Sequence, residues 1–257
     1  MARRNWTKEE LILAFNLYLK LPFGKMHRSN PDIMHLANLT GRTPSSMAMR
    51  LTNFASIDPF HRARGVSGLS GGAKQCQPIW DEFATNRENL LFESERILAE
   101  LENQSLENKY AESLKDISGL KGESKVREVK TRVNQNIFRQ IVLSSYSGKC
   151  AISRIDISDF LVASHIIPWS VNEKERLNPE NGICLSSLYD KAYDKGFIGI
   201  SVNHEVLLSK PLADHSAKDF YSRFFSHLKG SKIQLPERFL PKKEFLEYHL
   251  DTIFQKE

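Results

Sequence analysis

At 257 residues, with 40% hydrophobic and 26% charged residues, the chain has the composition of an ordinary soluble globular protein, with room for one large domain or two modest ones. No apolar run approaches the ~20 residues of a membrane-spanning helix, and the basic start MARRNWTKEE has no apolar segment behind it, so neither a membrane protein nor a secreted one is expected. Three cysteines, Cys76, Cys150 and Cys184, lie far apart with no CxxC pair, which argues against a zinc knuckle or a disulfide framework and fits a reducing, cytoplasmic setting.

The first predicted helix carries Trp6, Leu11, Leu13, Ala14, Leu17, Tyr18 and Leu21 at helical spacing. Thr7-Lys8-Glu9-Glu10 reads as its capping box, and Pro22 and Gly24 end it. A second helix starts after Asn30, with Pro31 at its first position, and runs through Ile33, Leu36, Ala37 and Leu39 to a break at Gly41. Thr43 caps a third that opens with Pro44 and continues through Met47, Ala48, Leu51 and Phe54. The second pair has helix-turn-helix spacing, with small Ala37 at the crossing and Gly41 where the turn goes left-handed. On that reading Arg42, Ser45, Ser46, Met49 and Arg50 lie at the turn and on an exposed recognition face that would contact DNA. A three-helix bundle with no ligand has the same pattern.

Residues 58–78 hold six glycines and prolines and read as a loop or linker. Residues 79–103 form an acidic amphipathic helix (Ile79, Trp80, Phe83, Leu90, Leu91, Ile97, Leu98, Leu101), and 104–124 are polar and partly mobile. A further helix over about 125–147 carries the stripe Val126, Val129, Val133, Ile137, Ile141 and Val142, interspersed with Arg127, Lys130, Arg132 and Arg139, of which Arg132 and Arg139 are further candidates for phosphate contact. Residues 1–65 hold ten Lys/Arg against four Asp/Glu, residues 81–123 five against eleven, and residues 124–257 twenty against sixteen. Two basic ends separated by an acidic middle suit two DNA-facing modules joined by a solvated spacer. The expected division is a helical domain over 1–60, a loop, acidic helix and linker over 61–124, and a second domain over 125–257.

The chemistry lies in the second domain. Leu161-Val-Ala-Ser164-His165 is a short apolar strand ending in a histidine, and about fifteen residues of loop follow. Asn178-Pro-Glu-Asn181-Gly leads into a second strand, Ile183 to Leu185. Ser186 or Ser187 then caps a brief helix containing Asp190 and Asp194, which Gly196 terminates. Strand, loop, strand, helix is a ββα unit. A neutral imidazole accepts a proton near neutrality, and two carboxylates four apart on a helix project from one face, where a hard cation relieves their repulsion. Phe197 to His204 alternates like a strand that Val206–Leu208 could pair with, and the aromatic tail from Phe220 to Phe254 packs as helices over the unit.

Over about residues 126–205 the chain resembles the HNH (ββα-metal) endonuclease family, particularly its bacterial restriction-type branch, with His165, Asn181 and Asp190 at the signature positions. With the helical regions read above, the resemblance makes an α+β protein: a helix-turn-helix-like N-terminal domain, a linker helix and, as the resemblance implies, a C-terminal HNH domain with flanking helices. It implies that His165 is the general base, that Asn181 orients the loop or the base, and that Asp190 and Asp194 hold one divalent metal, magnesium or manganese before nickel, with Ser164 as a weak ligand where many members carry Asp or His. The implied substrate is double-stranded DNA, with a homodimer the usual route to cutting both strands and no nucleotide cofactor called for. Two alternatives follow from the same residues: a DNA-binding regulator with a silent HNH domain, suggested by Ser164, and a nuclease delivered by an N-terminal domain that binds another protein.

Overall fold

The computed structural model describes residues 4–69, 71–117 and 119–256. Cα packing divides the chain into two compact units, Met1–Ile137 and Phe138–Glu257.

The first unit is helical. Helix α1 (Lys8–Lys20) starts with the expected capping box: Glu10 N donates to Thr7 Oγ1 at 3.2 Å and Thr7 N donates to the Glu10 carboxylate at 3.0 Å. Helices α2 (Pro31–Leu39) and α3 (Pro44–Ala55) are capped by Asn30 and Thr43, each with proline in its first turn. Gly41 takes the left-handed turn between them at φ +62°. After α4 (Pro59–Ala63) comes α5 (Gly72–Leu101), which starts well before the expected position. Pro78 lies inside α5 and deprives it of one backbone hydrogen bond. Burial of Cys76 and Ile79, and donation from Arg50 to Gly72 O and Gln75 Oε1, hold the early turns helical nonetheless. The helical geometry breaks instead at Asn86 (φ −139°, ψ 43°).

α5 packs along α1 and closes the core, with Phe15 against Phe54 (5.1 Å between centroids) and Phe83 (5.0 Å). The acidic stretch is therefore part of this core and no solvated spacer. Its Glu95 is buried, accepting hydrogen bonds from Asn16 Nδ2 and Tyr110 OH (both 2.7 Å) and pairing with Lys20 and Lys109. The region expected to be partly mobile forms α6 (Leu106–Lys109) and a 3-10 segment, Ala111–Ile117, that buries Leu114 and Ile117. Ser70 and Ser118 of the 61–124 stretch lie outside the described residues, as do residues 1–3 of the basic start. Helix α7 (Gly122–Ser145) buries Val129, Val133 and Ile137 as its stripe requires, but Val126 is 67% exposed.

The second unit begins with Phe138 on α7. Strands β1 (Leu161–His165) and β2 (Gly182–Ser186) pair antiparallel, and α8 (Ser187–Asp194) follows directly. A second hairpin joins β3 (Ile198–Ile200) to β4 (Val206–Leu208), the pairing the alternation suggested. Helices α9 (Lys210–Ala213), α10 (Asp219–Phe224) and α11 (Lys243–Thr252) complete the unit. Phe225, Phe245 and Leu246 of the tail are core, whereas Phe220 and Phe224 are 42% and 46% exposed because α10 is short and only loosely covered. No helix among the described residues is long and apolar enough to cross a membrane.

The buried charge cluster makes acid stability sensitive to one residue. Burial alone would raise the Glu95 carboxyl, but Lys20 and Lys109 outweigh it and hold it down, from 4.5 to about 2. As pH falls, the unfolded chain takes up this proton first. The stabilisation is complete above about pH 4.5 and is lost progressively toward pH 2, for a total of about 3 kcal/mol. Urea unfolding at pH 5.5 and pH 3 should show about 2 kcal/mol of that loss in the parent, and Glu95→Gln should be weaker at pH 5.5 with a smaller pH slope. Equal slopes in parent and variant would contradict the assignment.

Candidate active site

The β1–β2 hairpin sets His165 opposite Gly182. A Cβ at position 182 would come within 2.5 Å of Val142 Cγ2 and 2.8 Å of Phe138 Cζ, so glycine is what lets α7 seat on the hairpin. Phe138, admitted by that gap, stacks parallel on the His165 ring at 4.2 Å and 11°. Trp169 meets the same ring edge-on at 5.5 Å. The imidazole is thus fixed by contacts on a face and an edge before any polar group is counted.

His165 Nε2 lies 2.9 Å from the Arg176 carbonyl oxygen. A carbonyl only accepts, so Nε2 carries the proton and Nδ1 keeps its lone pair. No hydrogen bond to Nδ1 is made among the described residues. Burial lowers the pKa of His165 below the usual histidine value, with the Arg176 carbonyl pulling partly the other way, so the neutral ring is favoured. This is a fixed, neutral imidazole with its accepting nitrogen uncommitted.

Asn181 is fully buried and reaches neither His165 nor solvent. Its Oδ1 accepts from Ile167 N at 2.8 Å, and its Nδ2 donates to Ile167 O at 3.1 Å and Glu175 O at 3.3 Å. With Ile166 N donating to Asn181 O at 3.0 Å, the side-chain amide adds one rung to the hairpin ladder. It clamps the loop that carries Trp169 and Arg176. Of the two roles expected for it, the geometry places its side chain on the loop.

Asp190 and Asp194 both lie on α8. Asp190 is half-buried, and burial raises its carboxyl above the usual range against opposing pulls from the Ser164 hydroxyl and Lys191. Asp194, more exposed, is raised as well, by partial burial and by the charge of Asp190. The Ser164 hydroxyl is buried beside Asp190 without a hydrogen bond of good geometry. Among the described residues no three His, Cys, Asp or Glu side chains come together as a metal cage. Two under-compensated carboxylates and an unsatisfied hydroxyl do suit a hard cation that takes its remaining ligands from water and phosphate, the habit of magnesium.

The arginines expected to face DNA all have partners within the protein. Arg42 is 8% exposed and donates to both Glu10 carboxylate oxygens (3.1 and 2.7 Å) and to the carbonyls of Arg4 and Asn5. Arg50 is buried against α5. Arg139 donates to Leu161 O (2.7 Å) and Ser158 O (3.1 Å), which anchors the start of β1. Arg132 pairs with Glu128 at 3.1 Å. Of the recognition-face residues, Ser45 and Met49 are exposed and Ser46 half-exposed.

Three residues about His165 had no assignment in the sequence: Phe138, Trp169 and Arg176, whose guanidinium lies 5.0 Å over the Trp169 ring. Phe138 sits one position past Ile137 in the apolar stripe, so a contact to the histidine strand was invisible without the tertiary fold. Trp169 and Arg176 belong to an irregular loop, where no periodicity encodes contacts. Cys150 and Cys184 are free and buried, and Cys150 Sγ accepts from Ser186 N (3.1 Å) and Ser153 N (3.3 Å), tying the segment before β1 to the start of α8.

Residues 150–201 match the family model HNH_2, described as HNH endonuclease. The matched segment holds both strands of the first hairpin, α8 and β3, and His165, Asn181, Asp190 and Asp194 all fall inside it. A comparison with curated proteins finds no match.

Asn181→Ala would strip Ile167 of partners for both N–H and C=O in a buried position, at about 2–4 kcal/mol. Urea unfolding of the full chain should show the loss, and Asn181→Asp should recover only the acceptor half of it. A variant as stable as the parent would mean that water replaces the amide.

Proposed function

We propose that the protein is a metal-dependent DNA endonuclease in which His165 is the general base. The observation that supports this most directly is the state of that ring: neutral, stacked, its Nε2 spent on the Arg176 carbonyl and its Nδ1 open. The HNH match over residues 150–201 points to the same chemistry.

In the proposed reaction, His165 Nδ1 takes a proton from the water that attacks a phosphodiester phosphorus. The P–O bond to the leaving oxygen breaks, and that oxygen is protonated by solvent. Asp190 and Asp194 would hold the divalent ion, with Ser164 at its margin. When bound, magnesium or manganese supplies a Lewis acid that offsets charge on the phosphate and the leaving oxygen. Asn181 keeps the loop closed so that the Arg176 carbonyl stays on Nε2, and the Arg176 side chain lies at the same loop, suited to phosphate.

The first unit, basic over residues 1–65, supplies DNA affinity in this reading, and the whole acts in a restriction-type role. Cutting of both strands would need two copies of the single site. A silent HNH domain remains the second reading, motivated by Ser164 where a stronger ligand is common.

Plasmid cleavage with magnesium, manganese, nickel or no metal tests the proposal. Metal-dependent cutting should fall about 10²–10⁴-fold in His165→Ala, and Asp190→Asn should require more metal for the same rate. Cutting by His165→Ala at the parent's rate would overturn the base assignment, and a shifted band with intact DNA under every metal would favour the silent reading.

A further inference from the structure

The first unit contains a pocket of about 610 Å³ that the nuclease reading does not use. Three arginines, Arg4, Arg42 and Arg50, line it around Trp6, and the buried Glu10 behind them pairs with Arg4 and Arg42, which leaves the lining net positive. Ser46 and Met49 face it from α3.

Its walls are unusual for a groove-reading helix. A recognition helix needs side chains that reach outward to base edges in the major groove. Here Arg42 has its guanidinium committed to Glu10, Arg4 O and Asn5 O. Arg50 is 6% exposed, donates to Gln75 Oε1 at 2.8 Å, and has a buried Nε–H with no acceptor among the described residues. Both guanidinium carbons lie 4.4 Å from the Trp6 ring. Neither arginine can leave without breaking this packing. What the cluster presents is a preformed cationic and aromatic concavity, with a polar side from Ser46 and an apolar rim from Met49.

That chemistry suits a flat, partly apolar group carrying negative charge. Nucleotides combine a planar base with a phosphate, and the Arg4 guanidinium, 51% exposed, complements the phosphate while Arg42 and Arg50 hold the wall in place. A base inside a duplex is stacked on both faces and offers only its edges, so to fill a pocket it has to leave the stack. We infer that this pocket receives a single nucleotide turned out of duplex DNA, and that the first unit therefore reads a base by enclosing it. The inference rests on the DNA endonuclease reading.

The test uses the full chain carrying His165→Ala, so that DNA stays intact, and short duplexes with 2-aminopurine in a matched or a mismatched pair. A mismatch lowers the cost of turning the base out, whatever the preferred sequence. The expected result is about tenfold tighter binding to the mismatched duplex and a rise in 2-aminopurine emission on binding. Ser46→Trp, which fills the pocket from α3, should abolish both effects while the melting temperature stays within a few degrees of the parent. Leu69→Trp, filling it from the segment before α5, should do the same and guards against a folding defect peculiar to α3. Equal binding to matched and mismatched duplexes without an emission change, or filled variants that behave like the parent, would overturn the inference. His165-dependent plasmid cutting alongside such a result would leave the endonuclease reading standing, whereas a chain that neither binds nor cuts DNA would overturn both.

Discussion

A buried amide governs the geometry of the candidate site. Asn181 presents an acceptor and a donor to the N–H and C=O of Ile167, as a strand residue would, and ties down Glu175 O from the same nitrogen. The loop between β1 and β2 has no regular structure of its own in its middle, so its shape depends on such side-chain bonds. Its closure puts the Arg176 carbonyl on His165 Nε2, which settles the tautomer, and Trp169 on the ring edge. The His165 ring is thus configured by a residue that never touches it.

Much of this was legible in local rules. Capping at Thr7, Asn30 and Thr43, prolines at first helical positions and the glycine at 41 act within a few residues, and the helices form where those signals stand. The strand ending in His165, the strand after Gly182 and the short helix carrying both aspartates were likewise readable from short apolar runs and the terminating Gly196, although Ser186, at the N-cap of that helix, makes no side-chain capping bond and Ser187 donates to Phe160 O instead. Side-chain destinations were not. Arg42 and Arg50 have the spacing of a recognition face, yet Glu10, Gly72 and Gln75, distant in sequence, draw them inward. α5 begins ahead of Pro78 because tertiary burial outweighs one lost hydrogen bond, and Glu95 is core because two lysines from other elements meet it.

The two units solve the burial of charge in related ways. In the first, Glu10 and Glu95 are each surrounded by cations and amide or hydroxyl donors, so the carboxylates stay ionised inside the protein. In the second, partial burial outweighs the pull of Ser164 and Lys191 on Asp190, and burial with the charge of Asp190 outweighs Lys191 and Lys195 on Asp194, so both carboxyls are raised. In the proposed nuclease, that raised pair of carboxyls is where a bound cation would supply the compensation.

The parallel stack of Phe138 on His165 has a spectroscopic consequence. Imidazole protons held over an aromatic face sit in its shielding cone, so the magnetic resonance signals of the His165 ring are displaced upfield, as are those of His249, which stacks on Tyr193 at 3.7 Å. Of these two shielded rings, the one lost in His165→Ala is the one that would carry the chemistry. Any slippage of α7 over Gly182 changes the chemical shift of His165, and that movement can be watched without substrate, metal or turnover.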